Sequence, residues 1–208
     1  MEPARSKIIT CLPLPRVYTS MEKASLRRQL LRARQALPVD EWREKSDRIC
    51  QHIQQSDLYR HARTVLAYRS FRQEPDLEPL FSDECLGEHI WGFPRCVDKS
   101  LVWHRWSQGA LMQTGAYGIL EPHPDWPEVD SETVDLILVP AVACDARGYR
   151  LGYGGGFYDR MLSLPIWQSK PTVGIVFEFA YLPELPVESW DRKLTGVCTE
   201  AGLLMING

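Results

Sequence analysis

The densest group of residues suited to chemistry is a glycine-rich turn at 148–160. It reads GYRLGYGGGFYDR and holds five of the chain's 14 glycines. Glycine allows positive φ angles and a close approach of the backbone to a ligand, and consecutive exposed amide N–H groups can then cradle an anion. Arg150 could neutralise a phosphate and Asp159 could ligate Mg²⁺. The turn therefore predicts a phosphate-binding loop, with a plain surface turn and a charge pair at a helix start as the alternatives.

The turn matches neither common nucleotide fingerprint. No lysine follows the glycines, as a Walker A loop requires, and Phe157 takes the last position of a Gly-x-Gly-x-x-Gly register. A second source of cations lies near the start of the chain, where Lys23 and Arg27 share a helix face within the basic segment MEKASLRRQLLRAR at 21–34. A solvated basic face is one interpretation of this segment. The other is that Lys23 and Arg27 supply the charge that the loop lacks, provided that the two segments meet.

Hydrophobic periodicity predicts the elements that position these residues. A first helix carries Leu26, Leu30, Ala33 and Leu37 on one face and ends at Pro38, and a second is capped by Asp40. Apolar runs predict strands at 64–68, 90–93, 101–106, 134–139, 172–177 and 194–199, the second of them closed by Pro94, and a helix at 157–164. The run VDLILV at 134–139 is typical of a strand buried on both faces. The pattern predicts a three-layer α/β/α fold with a mostly parallel sheet, in which the glycine loop follows the carboxyl end of a buried strand.

Composition excludes several classes of protein. The 208 residues are 44% hydrophobic and 25% charged with a net charge of -3, which is typical of one globular domain and not of a disordered, collagen-like or coiled-coil chain. The acidic balance disfavours nucleic acid as a partner, and no apolar run is long enough to suggest a membrane span. We expect residues 21–208 to form the single domain. Residues 1–20 are expected to be a disordered extension or the product of a misplaced start codon ahead of Met21, with an organellar transit peptide as the alternative.

Cysteine and histidine patterns give no metal site. The six cysteines include no C-x-x-C pair, and the five histidines include no i, i+4 pair. Reduced thiols in a cytoplasmic protein are the simplest interpretation.

The stretch from Arg150 to Asp159, RLGYGGGFYD, resembles the signature of the 5-formyltetrahydrofolate cyclo-ligase family, also called 5,10-methenyltetrahydrofolate synthetase. The resemblance extends in order over residues 21–200. It includes KASLR at 23–27, SFRQE at 70–74, GILEP at 118–122, and LPV at 185–187 followed by Trp190 and Asp191.

The resemblance implies a fold like that of the sugar-phosphate isomerase and CoA-transferase group. It also implies a ligase of one-carbon metabolism that uses ATP and Mg²⁺ to convert 5-formyltetrahydrofolate into 5,10-methenyltetrahydrofolate, with release of ADP and phosphate. ATP would phosphorylate the formyl oxygen, and the substrate's own 10-nitrogen would then close the ring. Phosphoryl transfer mainly requires positioning and charge neutralisation, so no Ser/His/Asp or Cys/His machinery is needed. We expect a monomer.

The resemblance also implies roles for single residues. Lys23 and Arg150 would be catalytic, and Asp159 and Asp191 would hold Mg²⁺. The ATP-binding set would be Lys23, Ala24, Ser25, Leu26, Arg27, Arg150, Leu151, Gly152, Tyr153, Gly154, Gly155, Gly156, Phe157 and Tyr158. The folate-binding set would be Arg69, Glu74, Tyr153, Gly154, Gly155, Gly156 and Phe157.

The chain departs from the family pattern around the folate side. Leu77 stands where many relatives carry threonine, Arg69 and Arg72 flank the segment ending in Glu74, and Phe157 replaces a tyrosine. These departures motivate an alternative function, a nucleotide- or folate-binding module without ring-closing activity. A third hypothesis, an RNA-associated module that uses the basic helix, is disfavoured by the acidic balance and the lack of an aromatic-rich RNA motif.

Overall fold

A seven-stranded sheet forms the centre of the computed structural model. The structure describes residues 20–81, 89–107, 109–115 and 117–206. The prediction of a disordered extension therefore lies outside the described residues, apart from Ser20, which begins the first helix.

The helices and strands alternate along most of the chain. The helices are α1 (Ser20–Gln35), α2 (Val39–Gln55), α3 (Asp57–His61), α4 (Phe157–Leu162) and α5 (Pro165–Gln168). The strands are β1 (Thr64–Leu66), β2 (Ile90–Val97), β3 (Ser100–Trp106), β4 (Gln113–Thr114), β5 (Leu120–Glu121), β6 (Leu136–Pro140), β7 (Ala143–Asp145), β8 (Arg150–Leu151), β9 (Thr172–Ile175), β10 (Tyr181–Leu182), β11 (Gly196–Thr199) and β12 (Gly202–Met205). Among the described residues, no helix is both long and apolar enough to cross a membrane.

The strand order in the main sheet is β12-β11-β9-β6-β1-β2-β3. The five inner strands run parallel, whereas β12 and β3 pair antiparallel at the two edges. The predicted mostly parallel sheet is thus confirmed. Small sheets β10-β7-β8 and β4-β5 lie beside it, and β8 leads directly into the glycine-rich loop.

Helices cover both faces of the main sheet, as the sequence predicts. In β6, Ile137 and Val139 pack with Leu30 of α1 and with residues of α4 and α5, whereas Leu136 and Leu138 pack with residues of α2 on the opposite face. Alternate residues of a strand point to opposite faces, so the unbroken apolar run in this strand reflects burial on both sides.

Two predictions of where an element begins or ends are corrected by the structure. Asp40 does not cap α2, because that helix begins at Val39 with Pro38 in the cap position. Pro94 does not end β2, which continues to Val97. Past Gly92 this strand pairs only with β3, and the N–H of Cys96, two residues after Pro94, bonds to Glu121 instead of β3. Residues two apart in a strand direct their N–H groups to the same side, so the N–H that Pro94 lacks would also have pointed away from β3. The proline therefore removes no hydrogen bond to β3.

The inward face of α1 is also different from the predicted one. Leu30 is buried as expected, but Ala33 is exposed and Arg34 is buried. A guanidinium thus occupies a position that the apolar pattern assigns to solvent.

The strand order reverses direction between β1 and β6. From β1 the chain continues to β2 and β3 on one side, and then returns to β6, β9 and β11 on the other. In open α/β sheets such a switch point leaves a crevice at the carboxyl ends of the strands, where ligands bind. The segments that leave β1 and β6 at this crevice contain Glu74 and Ala141, and α1 contacts both.

Candidate active site

Helix α1 and the glycine-rich loop meet in the structure. Nε of Arg27 donates to the carbonyl of Gly152 at 2.7 Å, and a β-carbon placed on Gly154 would lie 3.8 Å from Cζ of Arg27. Lys23 is half-buried on the same face, whereas Arg28 and Arg32 are exposed. The solvated basic face is therefore restricted to Arg28 and Arg32, and the other two cations lie beside the loop.

In the glycine loop, several carbonyls are hydrogen-bonded whereas a run of four amides is not. Gly154 and Gly156 have φ angles of 105° and 66°, as expected for a turn that needs glycine. The carbonyls of Gly152 and Gly155 accept bonds from Arg27 and Arg160 at 2.7 and 2.9 Å. By contrast, the amide N–H groups of residues 153–156 donate to no described residue. A run of unpaired amides is the arrangement that binds an anion.

Arg27 adds a positive charge that pairs with no carboxylate of the described residues. Within the described part of the chain its guanidinium forms no salt bridge, and partial burial lowers its pKa. Desolvation destabilises the charged form of Arg27, and the hydrogen bond to the Gly152 carbonyl compensates part of that cost. An anion bound at the loop would therefore stabilise the charged guanidinium.

The other two predicted phosphate-binding cations pair with the two predicted metal-binding carboxylates. Nζ of Lys23 lies 2.6 Å from Oδ2 of Asp191, with side-chain exposures of 15% and 9%. Nη1 of Arg150 lies 2.7 Å from Oδ1 of Asp159, which also accepts from the backbone N–H of Arg192 at 3.4 Å. Since Arg192 follows Asp191, this bond links the two ion pairs into one charged cluster beside the loop.

The donor set of this cluster fits Mg²⁺ bound together with phosphate. Among described contacts, no hydrogen bond reaches Oδ2 of Asp159 or Oδ1 of Asp191, so each carboxylate retains a free oxygen. No group of three or more His, Cys, Asp or Glu side chains could hold a metal alone within the described ranges. Mg²⁺ prefers one or two carboxylates completed by phosphate oxygens and water, and two carboxylates near the unpaired loop amides fit the protein's part of that preference.

Glu74 lies near the C-terminal end of α1, in a tight turn after β1 whose Arg72 carbonyl accepts from Arg34. Its side chain is only 3% exposed, and Oε2 accepts from the Phe71 N–H at 3.0 Å. Its carbonyl accepts from Trp42 Nε1 at 2.9 Å and from Ser70 Oγ at 2.8 Å. Burial raises the pKa of this carboxyl to about 7, although the Arg34 charge and the Phe71 amide oppose the change. The carboxyl is therefore held in place and titrates near neutrality.

We expect Glu74→Gln to change how stability depends on pH. A carboxyl whose pKa rises from 4.5 in the unfolded chain to about 7 in the fold binds more protons when folded, so wild-type stability falls as pH rises through this interval and stays low above it. Glutamine has no proton to lose. The variant should therefore exceed wild type by about 3 kcal/mol at pH 8 and approach it near pH 4.5.

Urea unfolding of both proteins at pH 5 and pH 8 measures this difference. Glu44→Gln, at an exposed position on α2, is the matched control. An equal effect of Glu74→Gln at both pH values would show that Glu74 does not ionise in this interval.

The remaining predicted residues occupy different environments. Ala24, Ser25 and Leu26 lie on α1 between the two cations, Leu151 is fully buried, and the ring of Phe157 packs edge-on against Tyr117 with centroids 5.7 Å apart. The Tyr158 hydroxyl is buried and has no hydrogen-bond partner among described residues. The guanidinium of Arg69 pairs with Glu78 and lies 4.9–5.2 Å from the centroids of three rings, those of Phe81, Phe93 and Trp106. A contact between Arg69 and folate stays a prediction.

Two residues of the site were not found from the sequence. Arg160 holds the Gly155 carbonyl, and Arg34 contacts Tyr153 and both segments at the crevice. A signal for Arg34 was present, because it lies seven residues after Arg27 and therefore on the same side of the helix. The apolar pattern concealed it.

Comparison with known proteins adds an independent line of evidence. Residues 19–200 match the sequence model of the 5-formyltetrahydrofolate cyclo-ligase family. The 5-formyltetrahydrofolate cyclo-ligase of Escherichia coli (strain K12) is 34% identical over 151 residues, which are 66% of this chain and 78% of that protein. The protein of the same name from Mycolicibacterium smegmatis is 30% identical over 195 residues, which are 85% of this chain and 93% of the relative.

A solved structure extends the similarity to three dimensions. The NMR structure of Aquifex aeolicus 5,10-methenyltetrahydrofolate synthetase superposes with a TM-score of 0.79 at 32% identity, covering 89% of this chain and 93% of that one. The match to the family model spans α1, the Glu74 turn, the glycine loop and Asp191, which are the segments that the fold brings together. The resemblance read from the sequence is confirmed, and the chain belongs to the 5-formyltetrahydrofolate cyclo-ligase family.

Proposed function

We propose that this chain catalyses the ATP- and Mg²⁺-dependent cyclisation of 5-formyltetrahydrofolate to 5,10-methenyltetrahydrofolate, with release of ADP and phosphate. Family membership makes it a ligase of folate metabolism. The observation that carries the nucleotide part of the proposal is the run of unpaired amides at 153–156 beside the Arg27 guanidinium, which forms no salt bridge among the described residues.

The nucleotide phosphates would bind between α1 and the glycine loop. The loop amides would bind phosphate oxygens, and Arg27 and Lys23 would neutralise their charge. Arg150, held by Asp159, would face the transferring phosphoryl group. Arg27 and Arg150 are already held by the Gly152 carbonyl and by Asp159, and such preorganisation is the property that electrostatic catalysis requires.

Asp159 and Asp191 would hold Mg²⁺ through the oxygens that receive no hydrogen bond from described residues. The ion would neutralise phosphate charge and orient the triphosphate. Lys23 and Asp191 are in direct contact, so a phosphate bound to the metal ion at Asp191 would also lie near the Lys23 ammonium. Lys23 would then exchange part of its interaction with Asp191 for one with a phosphate oxygen.

The folate would bind on the Glu74 side of the loop, where Tyr153 separates the two halves of the site. The pterin ring carries N–H and amino donors, and an ionised Glu74 would accept from them. This placement would bring the formyl oxygen to the γ-phosphate. That oxygen forms a bond to phosphorus as ADP leaves, and the 10-nitrogen of folate then attacks the formyl carbon. The carbon–oxygen bond breaks, phosphate departs with the oxygen, and the 10-nitrogen loses its proton.

The proposal extends to the cellular setting. We place the protein in the cytoplasm as a monomer without nucleic-acid or membrane partners. The four cysteines in the described ranges, Cys50, Cys96, Cys144 and Cys198, are all free thiols, which supports a reducing compartment.

The experiment mixes purified protein with ATP, Mg²⁺ and 5-formyltetrahydrofolate and follows the near-ultraviolet absorbance of the methenyl product. We expect product only when all components are present, loss of product on addition of EDTA, and recovery with excess Mg²⁺. Binding of ATP and folate without product in any mixture would contradict the proposal in favour of a binding module. Activity that survives EDTA would contradict the metal part alone.

A further inference from the structure

We propose that Arg34 is a positioning residue for the folate side of the site. Its guanidinium joins the Glu74 turn, the segment after β6 and Tyr153 of the glycine loop into one unit, and thereby sets the relative placement of Glu74 and Tyr153. This inference rests on the proposed function. Unlike Lys23 and Arg27, Arg34 is not proposed to bind phosphate. The residue is only 3% exposed, so its side chain is nearly inaccessible to a ligand.

Three hydrogen bonds distribute the guanidinium over three segments of chain. Nε donates to the carbonyl of Arg72 at 3.1 Å, and Nη1 donates to the carbonyl of Ala141 at 3.3 Å. Nη2 donates to the hydroxyl of Tyr153, whose ring also lies 5.5 Å from Cζ. A planar group with donors on three sides can fix three acceptors at once, which an ammonium on a flexible stem cannot do with the same precision.

Arg34 lies at the switch point of the sheet. Arg72 belongs to the segment that leaves β1, and Ala141 to the segment that leaves β6, so these two bonds cross the crevice between the strands where the order reverses. The third bond reaches the loop that closes the crevice. No other described side chain donates hydrogen bonds to all three segments.

The turn that Arg34 holds has a strained backbone. Arg72 and Gln73 have φ angles of 50° and 55°, which L-residues other than glycine rarely adopt, and two in succession persist only when surrounding contacts enforce them. Arg34 supplies one such contact at the Arg72 carbonyl, and Gln73 Nε2 supplies another at the Leu37 carbonyl. Loss of the Arg34 contact would let the turn relax and displace Glu74, which follows it directly.

The charge of Arg34 also acts on Glu74. The titratable groups that face Glu74 among described residues are Arg34 of α1, Tyr68 after β1, Tyr153 of the loop and Tyr158 of α4. Burial raises the pKa of each of these tyrosines above its ordinary value, so they stay neutral around pH 7. Among the described residues Arg34 is the charged group that lowers the pKa of Glu74, so its removal should raise that pKa, although the Phe71 amide and the Tyr153 side chain lower it as well.

Arg34→Met, Arg34→Lys and Arg32→Met test the proposal, the last being an exposed arginine on the same helix. For Arg34→Met we expect KM for 5-formyltetrahydrofolate to rise at least about tenfold while KM for ATP changes less than about threefold. We expect the folate KM to fall as Glu74 ionises. Without the Arg34 charge the pKa of Glu74 is higher, so the midpoint of this fall should move to higher pH. Arg34→Lys should restore the pH midpoint but not the full affinity, and Arg32→Met should resemble wild type.

Equal changes in both KM values, or a lower Tm with unchanged folate KM and pH midpoint, would overturn the proposal and leave Arg34 a structural residue. Should Arg34→Met not fold, Arg34→Lys with an unaltered folate KM would overturn it as well. Wild-type activity is measured first, so that an inactive wild type counts against the proposed function and not against Arg34. In that case, equilibrium binding of 5-formyltetrahydrofolate to the same variants decides, with the same expected weakening.

Discussion

Replacing Lys23 by alanine is expected to lower kcat/KM for ATP by about 10²–10³-fold, the loss typical of one preorganised group that stabilises charge in a transition state. Lys23 lies at the point where α1, the glycine loop and Asp191 converge, and its ammonium is only slightly exposed. Removing it leaves Asp191 without its cation and the triphosphate without one of its neutralising charges. KM for 5-formyltetrahydrofolate should change little, since Lys23 does not contact the Glu74 turn.

Arg27→Ala should cost at least as much as Lys23→Ala. Arg27 would bind phosphate directly, and it also fixes the Gly152 carbonyl, so its loss would both remove charge and release the loop. Steady-state kinetics with each substrate varied in turn measure both variants. Arg28→Met is the control, because Arg28 is exposed on the same helix and its loss changes the net charge equally. ATP kinetics within about threefold of wild type in both alanine variants would sink the phosphate role of α1.

Gly154→Val is expected to reduce activity more than about 100-fold with a comparatively small loss of stability. At a φ of 105° a branched L-residue is strained, and its β-carbon would lie 3.8 Å from Cζ of Arg27 before the methyl groups are counted. The loop would have to rotate, which would turn its free amides away from the phosphates and displace Arg27 from the Gly152 carbonyl.

Gly109→Val separates the two effects. Gly109 has a φ of 74°, and a β-carbon there would meet nothing within 4 Å. It therefore carries backbone strain in an exposed segment without touching the glycine loop. We expect the two valine variants to lose similar amounts in Tm and only Gly154→Val to lose activity. Full activity in Gly154→Val would show that the amide cradle does not bind the nucleotide.

The sequence predicted the local parts of this protein well. The apolar run at 134–139 identified the central strand because burial on both faces leaves no polar position from Leu136 to Val139. The glycine cluster identified the loop because glycine adopts the positive φ angles found at Gly154 and Gly156 without the strain that other residues carry there. Both patterns involve residues that are neighbours in the chain, so they can be recognised without knowledge of the fold.

Other predictions failed where a tertiary contact overrode the local pattern. Ala33 fits the apolar stripe of α1, but the helix is oriented with Arg34 facing inward. In that orientation the Arg34 guanidinium donates hydrogen bonds to three acceptors from other segments. Proline usually ends a strand because it lacks an N–H donor. At Pro94 the missing donor would face β1, whose pairing with β2 already ends at Gly92.

The sequence alone thus determined the fold class, the family, and the residue types that the chemistry needs, because periodicity, glycine content and motif are properties of short segments. Only the tertiary structure decided which of those residues act together. Lys23 and Asp191 are 168 positions apart, and their distance of 2.6 Å depends on the strand order that folds the chain's two ends onto the same crevice. The burial of Glu74 and Arg34, and with it the raised pKa of that carboxyl, likewise follows from which strands are neighbours. Strand order is set by the summed packing of the whole core, and no single segment of the sequence contains it.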